Sequence, residues 1–249
     1  MNELSLFTGA GGGLLGSKLL GWKAIGYVEK EPYCQKVIRQ RIADGILDAA
    51  PIFGDIRKFI SEGYAASYTG LVDVVTGGFP CQDISVCKKN AEGIWGGRSG
   101  LWKEQAEVIR IVRPRFVVVE NSPALTIRGF GEVLRDLASM GFHVRWGVLG
   151  GYAANSCCNG ERLWVVASQA DGAMLEGMDV SKVVFSCAEE PCRRQYTRAI
   201  GAMFSQDDYT AFKRDHDAVA RGMDRLKAIG NGQVPLCAAV AWRILSGMA

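Results

Sequence analysis

Long apolar runs are missing from this chain. No stretch approaches the ~18 consecutive apolar residues that span a bilayer, and the opening Met1-Asn2-Glu3-Leu4 lacks the basic region that begins a secretory signal. Both absences predict a protein that stays in the compartment where it is made. Histidine is scarce, with only His143 and His216. Paired Cys-x-x-Cys knuckles are lacking as well: Cys157, Cys158, Cys187 and Cys192 fall at spacings that match no usual zinc ligand set. No metal site is therefore expected. Eight cysteines scattered over 249 residues do not make a disulfide scaffold, and a reducing cytoplasm is the simpler home. A dominant charge is missing too. The 29 basic and 26 acidic residues leave a net charge of +3, which permits a polyanionic partner without demanding one.

What is present suits one large domain, or one domain with a small appendage. Over the first two-thirds, short β-rich runs alternate with amphipathic stretches, the pattern of a doubly wound α/β sheet. Strands are expected at 4–7, 24–28, 72–76, 116–120, 143–149 and 162–167, and helices at 14–20, 32–41, 101–112 and 129–140. The last helix carries Phe130, Val133, Leu134 and Leu137 on one face and stops at Gly141. After Ala167 the alternation breaks, leaving Val183-Val184-Phe185 as the one strand candidate before an apolar helix over 234–245. These features read as an α/β unit at 1–168, a small insert at 169–196, and a segment at 197–249 that returns to the first unit.

Three patterns point to chemistry. The run Leu4-Ser5-Leu6-Phe7-Thr8-Gly9-Ala10-Gly11-Gly12-Gly13 is a strand entering a glycine-dense turn and then a helix. Glycine lets the backbone come close to a ligand, and a helix N-terminus offers free amides. Gly11, Gly13 and Gly16 match G-x-G-x-x-G, although one of them falls inside the helix; a tight strand-to-helix turn is the plain alternative. Glu29 ends the second strand near the offset at which a carboxylate takes ribose hydroxyls, and Asp55 is available for an adenine amino group. In Gly77-Gly78-Phe79-Pro80-Cys81-Gln82, a cysteine follows an apolar strand, where open α/β sheets bind ligands. Read alone, Cys81 could equally be a small buried hydrophobe.

Taken in order, these residues resemble the C5-cytosine DNA methyltransferase family along nearly the whole chain. Phe7-Thr8-Gly9-Ala10-Gly11-Gly12 resembles its first S-adenosylmethionine motif, and Glu29 and Gly54-Asp55-Ile56 its ribose and adenine positions. Gly78-Phe79-Pro80-Cys81-Gln82 is similar to its nucleophile motif, with a glycine-rich, basic segment following over 83–97. Arg98-Ser99-Gly100-Leu101-Trp102 opens the next helix as the family's does; Val118-Val119-Glu120-Asn121 is similar to its Glu-Asn motif, and Ile229-Gly230-Asn231 to its last one.

The resemblance implies a Rossmann-like S-adenosylmethionine-dependent methyltransferase fold with a mostly parallel sheet and a small recognition insert. It implies S-adenosylmethionine as cofactor, S-adenosylhomocysteine as product and duplex DNA as partner, in a prokaryotic or phage-infected cytoplasm. Cys81 is the implied nucleophile on cytosine C6, Glu120 the carboxyl at N3, and Arg162 the contact to O2. Phe7, Thr8, Gly9, Gly11, Gly12, Glu29, Asp55, Ile56, Pro80, Leu101 and Asn231 are the implied cofactor contacts. Gln82, Ser85, Lys88, Lys89 and Arg98 are the implied DNA contacts on a loop that closes over a flipped base.

The chain departs from the family pattern in places. Gly160 stands where the family's Gln-x-Arg-x-Arg motif has its first arginine, Cys158 replaces its glutamine, and Ser122 follows Asn121 in place of valine. A late family segment resembles 197–209, so about thirty residues remain for base readout. At ~1–3 kcal/mol per good base contact, so small an insert implies a short site of about two to four base pairs, or a second subunit that supplies target recognition. An RNA cytosine methyltransferase and a catalytically silent DNA-binding relative are the alternative readings.

Overall fold

The computed structural model describes residues 1–80, 101–150, 161–169 and 233–247. Among these, seven strands form one sheet: β1 (Asn2–Leu6), β2 (Lys23–Val28), β3 (Ile52–Phe53), β4 (Val74–Gly77), β5 (Phe116–Asn121), β6 (Phe142–Leu149) and β7 (Arg162–Gln169). Six helices accompany them: α1 (Gly12–Leu19), α2 (Pro32–Ala43), α3 (Ile56–Ser61), α4 (Trp102–Val112), α5 (Phe130–Ser139) and α6 (Pro235–Ser246). The strand order is β3-β2-β1-β4-β5-β7-β6. Pairing is parallel from β3 through β5 and antiparallel on both sides of β7. The chain therefore reverses between β1 and β4, and their carboxyl ends open a crevice there.

Alternation along β5 assigns each residue to a layer. Val117 and Val119 point into the larger core with Leu4, Leu6, Val75, Trp102, Ile109 and Leu137. Phe116 and Val118 point to the other face, with Trp164, Val166, Val240 and Trp242. Period-two alternation of side chains makes both faces apolar, so helices cover both. Trp102 is fully buried, with its indole N–H donating to Asp136 Oδ2 at 2.8 Å, which joins α4 to α5.

The five expected helices and six expected strands are all present, with ends moved by a few residues. Two elements were not expected. Strand β3 is two residues long and α3 is six, both too short for a hydrophobic period to register. Helix α1 begins at Gly12, so Gly12, Gly13 and Gly16 all lie inside it. Gly16 packs against α6, where an added Cβ would sit 2.5 Å from the Pro235 carbonyl oxygen. The last glycine of the G-x-G-x-x-G pattern thus serves helix contact. Val183-Val184-Phe185, the 197–209 segment, and Cys157, Cys158, Cys187, Cys192 and His216 lie outside the described residues. No helix among the described residues is long and apolar enough to cross a membrane.

Candidate active site

The turn after β1 is shaped by backbone conformations that few residues adopt. Gly9 and Gly11 have φ of +58° and +86°, and Phe7, which has a side chain, has φ of +50°. A left-handed phenylalanine is uncommon and marks a turn held by its surroundings. Two long-range bonds hold it. Gly9 N–H donates to Glu29 Oε2 at 2.6 Å, and Arg41 Nη1 donates to the Ala10 carbonyl at 2.5 Å. A Cβ on Gly9 would meet nothing within 4 Å, so the turn presents its backbone to open space.

Glu29 immediately follows β2 and is buried, and Glu31 N–H donates to its Oε1 at 2.7 Å. Burial raises its pKa, and the amides of Glu31 and Gly9 oppose that rise. A carboxylate has about four lone-pair sites, so capacity beyond its backbone amides remains that a pair of ribose hydroxyls would use. The turn and Glu29 together fit an adenosine-type cofactor.

Asp55 is engaged differently. It caps α3 by accepting from Arg57 N–H at 2.9 Å, and it pairs with Lys30 Nζ at 3.0 Å. The Lys30 ammonium and the Arg57 amide hold its carboxyl below the usual range. Ile56 is buried within the larger core. Leu101 is the residue before α4 and packs on the same core.

The second half of the site lies at the ends of β4, β5 and β7. Glu120 is buried at the end of β5 and directly opposite Trp164 of β7. Its Oε1 is 3.0 Å from Arg162 Nε, and Gln233 Nε2 donates to its Oε2 at 3.3 Å. Burial raises the Glu120 pKa, while the Arg162 charge and the Gln233 bond pull against that rise.

The chain leaving β4 crosses immediately beside it. A Cβ on Gly78 would stand 2.7 Å from Glu120 Oε2, so glycine is what allows the approach. Buried Asn121 donates from Nδ2 to the Phe79 carbonyl at 3.0 Å, and the Phe79 ring lies on Trp102 with centroids 5.6 Å apart. These contacts fix the backbone up to Pro80. The cleft is lined by Phe7, Thr8, Gly9, Gly78, Glu120 and Gln233, among others.

Of the expected site residues, the structure brings Phe7, Thr8, Gly9, Gly12 and Glu120 around one cleft, with Gly78 beside them and Arg162 paired to Glu120. Cys81, Gln82, Ser85, Lys88, Lys89, Arg98 and Asn231 lie outside the described residues. Gln233 and Arg41 were missed by reading the sequence. Gln233 follows Asn231-Gly232 ahead of a proline-started helix, a position that draws attention; nothing local marks Arg41.

A parallel sheet with a terminal antiparallel pair and a cofactor-type turn at the β1/β4 reversal defines a Rossmann-like methyltransferase fold. Solved structures agree. The Schizosaccharomyces pombe Dnmt2 methyltransferase superposes with a TM-score of 0.56 at 17% identity, covering 75% of this chain and 54% of that one. A putative DNA modification methyltransferase from an Escherichia coli prophage superposes at 0.53 and 17% identity, covering 74% and 54%. The model of the C-5 cytosine-specific DNA methylase family matches residues 1–220, and the chain belongs to that family. It is 29% identical over 145 residues to the type II methyltransferase M.PspPI of Psychrobacter, covering 57% of this chain and 33% of that protein. To M2.BsuMI of Bacillus subtilis it is 32% identical over 149 residues, covering 56% and 34%. To M.AquIA of Picosynechococcus it is 34% identical over 137 residues, covering 54% and 53%. The matched region thus spans a third to a half of these relatives' lengths.

Proposed function

We propose that this chain is an S-adenosylmethionine-dependent DNA cytosine-5 methyltransferase. The observation that carries the reading is the buried Glu120 carboxyl, held by Arg162 and lying against Gly78, three residues before Cys81. Family membership and the type II relatives support DNA as the substrate.

Cytosine C5 is too electron-poor to be alkylated directly. The Cys81 thiolate adds to C6, which places electron density on C5; once C5 carries the methyl group, loss of its proton expels the thiolate, restores the C5–C6 double bond and regenerates Cys81. Glu120 shares or donates a proton at N3 as charge develops there, and Arg162 holds O2. The base is extruded from the duplex to reach them, at a cost of a few kcal/mol. The turn over Phe7 to Gly12, with Glu29, seats the cofactor, which supplies an electrophilic methyl group when bound. Lys88, Lys89 and Arg98 meet phosphate, and Gln82 and Ser85 lie beside the base. The insert at 169–196 reads a short site, or a second subunit completes recognition.

The test is methyl transfer from labelled cofactor to duplex DNA and to structured RNA in parallel, with trapping on 5-fluorocytosine DNA. Cofactor-dependent covalent trapping on DNA is expected. Cys81→Ala is expected to abolish transfer while retaining DNA binding. Normal turnover by that variant would overturn the mechanism, preference for RNA would overturn the substrate, and absence of any adduct would favour a silent binder.

A further inference from the structure

One amide sits at the junction of the glycine turn and the mouth carboxyl. Gln233 lies just before α6 and touches three glycines. A Cβ on Gly12 would stand 2.3 Å from its carbonyl oxygen, and a Cβ on Gly13 would stand 2.3 Å from its Oε1. A Cβ on Gly78 would be 3.2 Å from its Nε2. The same Nε2 donates to Glu120 Oε2. Any side chain at Gly12 or Gly13 would expel the glutamine from this position, so the glycines and Gln233 fit as a set.

The two oxygens of Glu120 have different partners on opposite sides. Arg162, on β7, is the charged group that faces Oε1, and Gln233 is the neutral donor at Oε2. The terminal torsion of a glutamate is broad when free. Held at both oxygens, this carboxyl has one orientation. A neutral amide suits the second position, because another cation beside Arg162 would lock the acid in its ionised form.

We infer that Gln233 is a positioning residue that fixes the rotation of the Glu120 carboxyl and ties it to the seating of the cofactor turn. The inference rests on Glu120 acting at cytosine N3, as proposed above. Because the Gln233 backbone and amide brace Gly12 and Gly13, displacing this residue disturbs both halves of the site.

Single-turnover methyl transfer to duplex DNA, followed from about pH 5.5 to about pH 9, tests this. Wild type, Gln233→Met, Gln233→Asn, Glu120→Gln and the Gln233→Met/Glu120→Gln pair are compared, with S-adenosylhomocysteine affinity measured on the same preparations. The limb of the profile that disappears in Glu120→Gln reports Glu120. Losing the Nε2 donor removes a bond to the ionised acid, so in Gln233→Met that limb moves up by roughly 0.5–1 pH unit. The rate falls about tenfold, about the worth of the lost hydrogen bond to Glu120, and S-adenosylhomocysteine binds more weakly because the packing against Gly13 changes.

Gln233→Asn, one methylene too short, follows Gln233→Met. In the double variant at saturating cofactor, Gln233→Met has no further effect on rate. An active wild type whose Gln233 variants keep its profile and its cofactor affinity overturns the inference alone. A wild type inactive on DNA overturns the proposed function and this inference with it. Should Gln233→Met fail to fold, Gln233→Glu carries the test. Its second carboxyl moves the limb further upward, and an unmoved limb overturns the inference.

Discussion

Glu3 lies in β1, on the sheet face that α1 and α6 cover, and is essentially inaccessible to solvent. Thr76 Oγ1 donates to its Oε1 at 2.6 Å, and among the described residues no group stands at hydrogen-bond distance and geometry from its Oε2. Burial is the main influence on this acid. It pushes the pKa up to about 7, against partial relief from the Thr76 and Ser17 hydroxyls and a small further push from Asp48. The unfolded chain ionises near the ordinary value of 4.5. The folded state therefore binds this proton more tightly, and its advantage is complete below pH 4.5 and lost as pH rises through about 7. The gap corresponds to about 3 kcal/mol.

Glu3→Gln keeps the shape and removes the charge, so it should escape that loss. Urea unfolding of both proteins at a series of pH values measures the difference. Between about pH 5 and about pH 8 the stability of Glu3→Gln relative to wild type should grow by about 2.5 kcal/mol. Parallel stability curves across that range would refute the assignment of Glu3 as a buried, proton-binding acid.

Gly16→Ala places a methyl 2.5 Å from the Pro235 carbonyl and 2.9 Å from Ala238 Cβ. It should destabilise by about 1–3 kcal/mol despite better helix propensity, read as a lower urea midpoint, and an unchanged midpoint would contradict the close α1–α6 contact. Arg41→Met removes the donor to the Ala10 carbonyl. Calorimetry should find S-adenosylhomocysteine binding weakened about tenfold, the worth of one charge-assisted bond, and undiminished affinity would show that the turn holds itself.

Much of this architecture is legible in the residues because the strongest signals are local. Phe116-Val117-Val118-Val119 reads as a buried strand without further context, and the glycine run after β1 reads as a ligand turn. Asp55 carries two local meanings. As a strand-end acid it suggests an adenine contact, and as the residue before Ile56-Arg57 it is a helix cap; the structure uses it as the cap and as the partner of Lys30. Gly16 has the same ambiguity, resolved by α6, which no nearby residue announces. Arg41, and the distant partners of Gln233, were illegible for the same reason. Each acts on a turn far away in sequence, and a single glutamine or arginine in a helix or ahead of one has no periodicity to betray it.

The contact between Gly16 and Pro235 has a consequence for synthesis. Translation releases the glycine turn and α1 about 220 residues before Pro235, so a nascent chain holds β1 and α1 long before α6 exists to cover them. The loop closed by that contact is about 220 residues long, and its entropy is lost only when α6 docks. Gln233, at the head of α6, arrives in the same event. Completing the fold and completing the mouth around Glu120 are then one step, and a prematurely terminated chain carries the turn without the residue that links it to its acid.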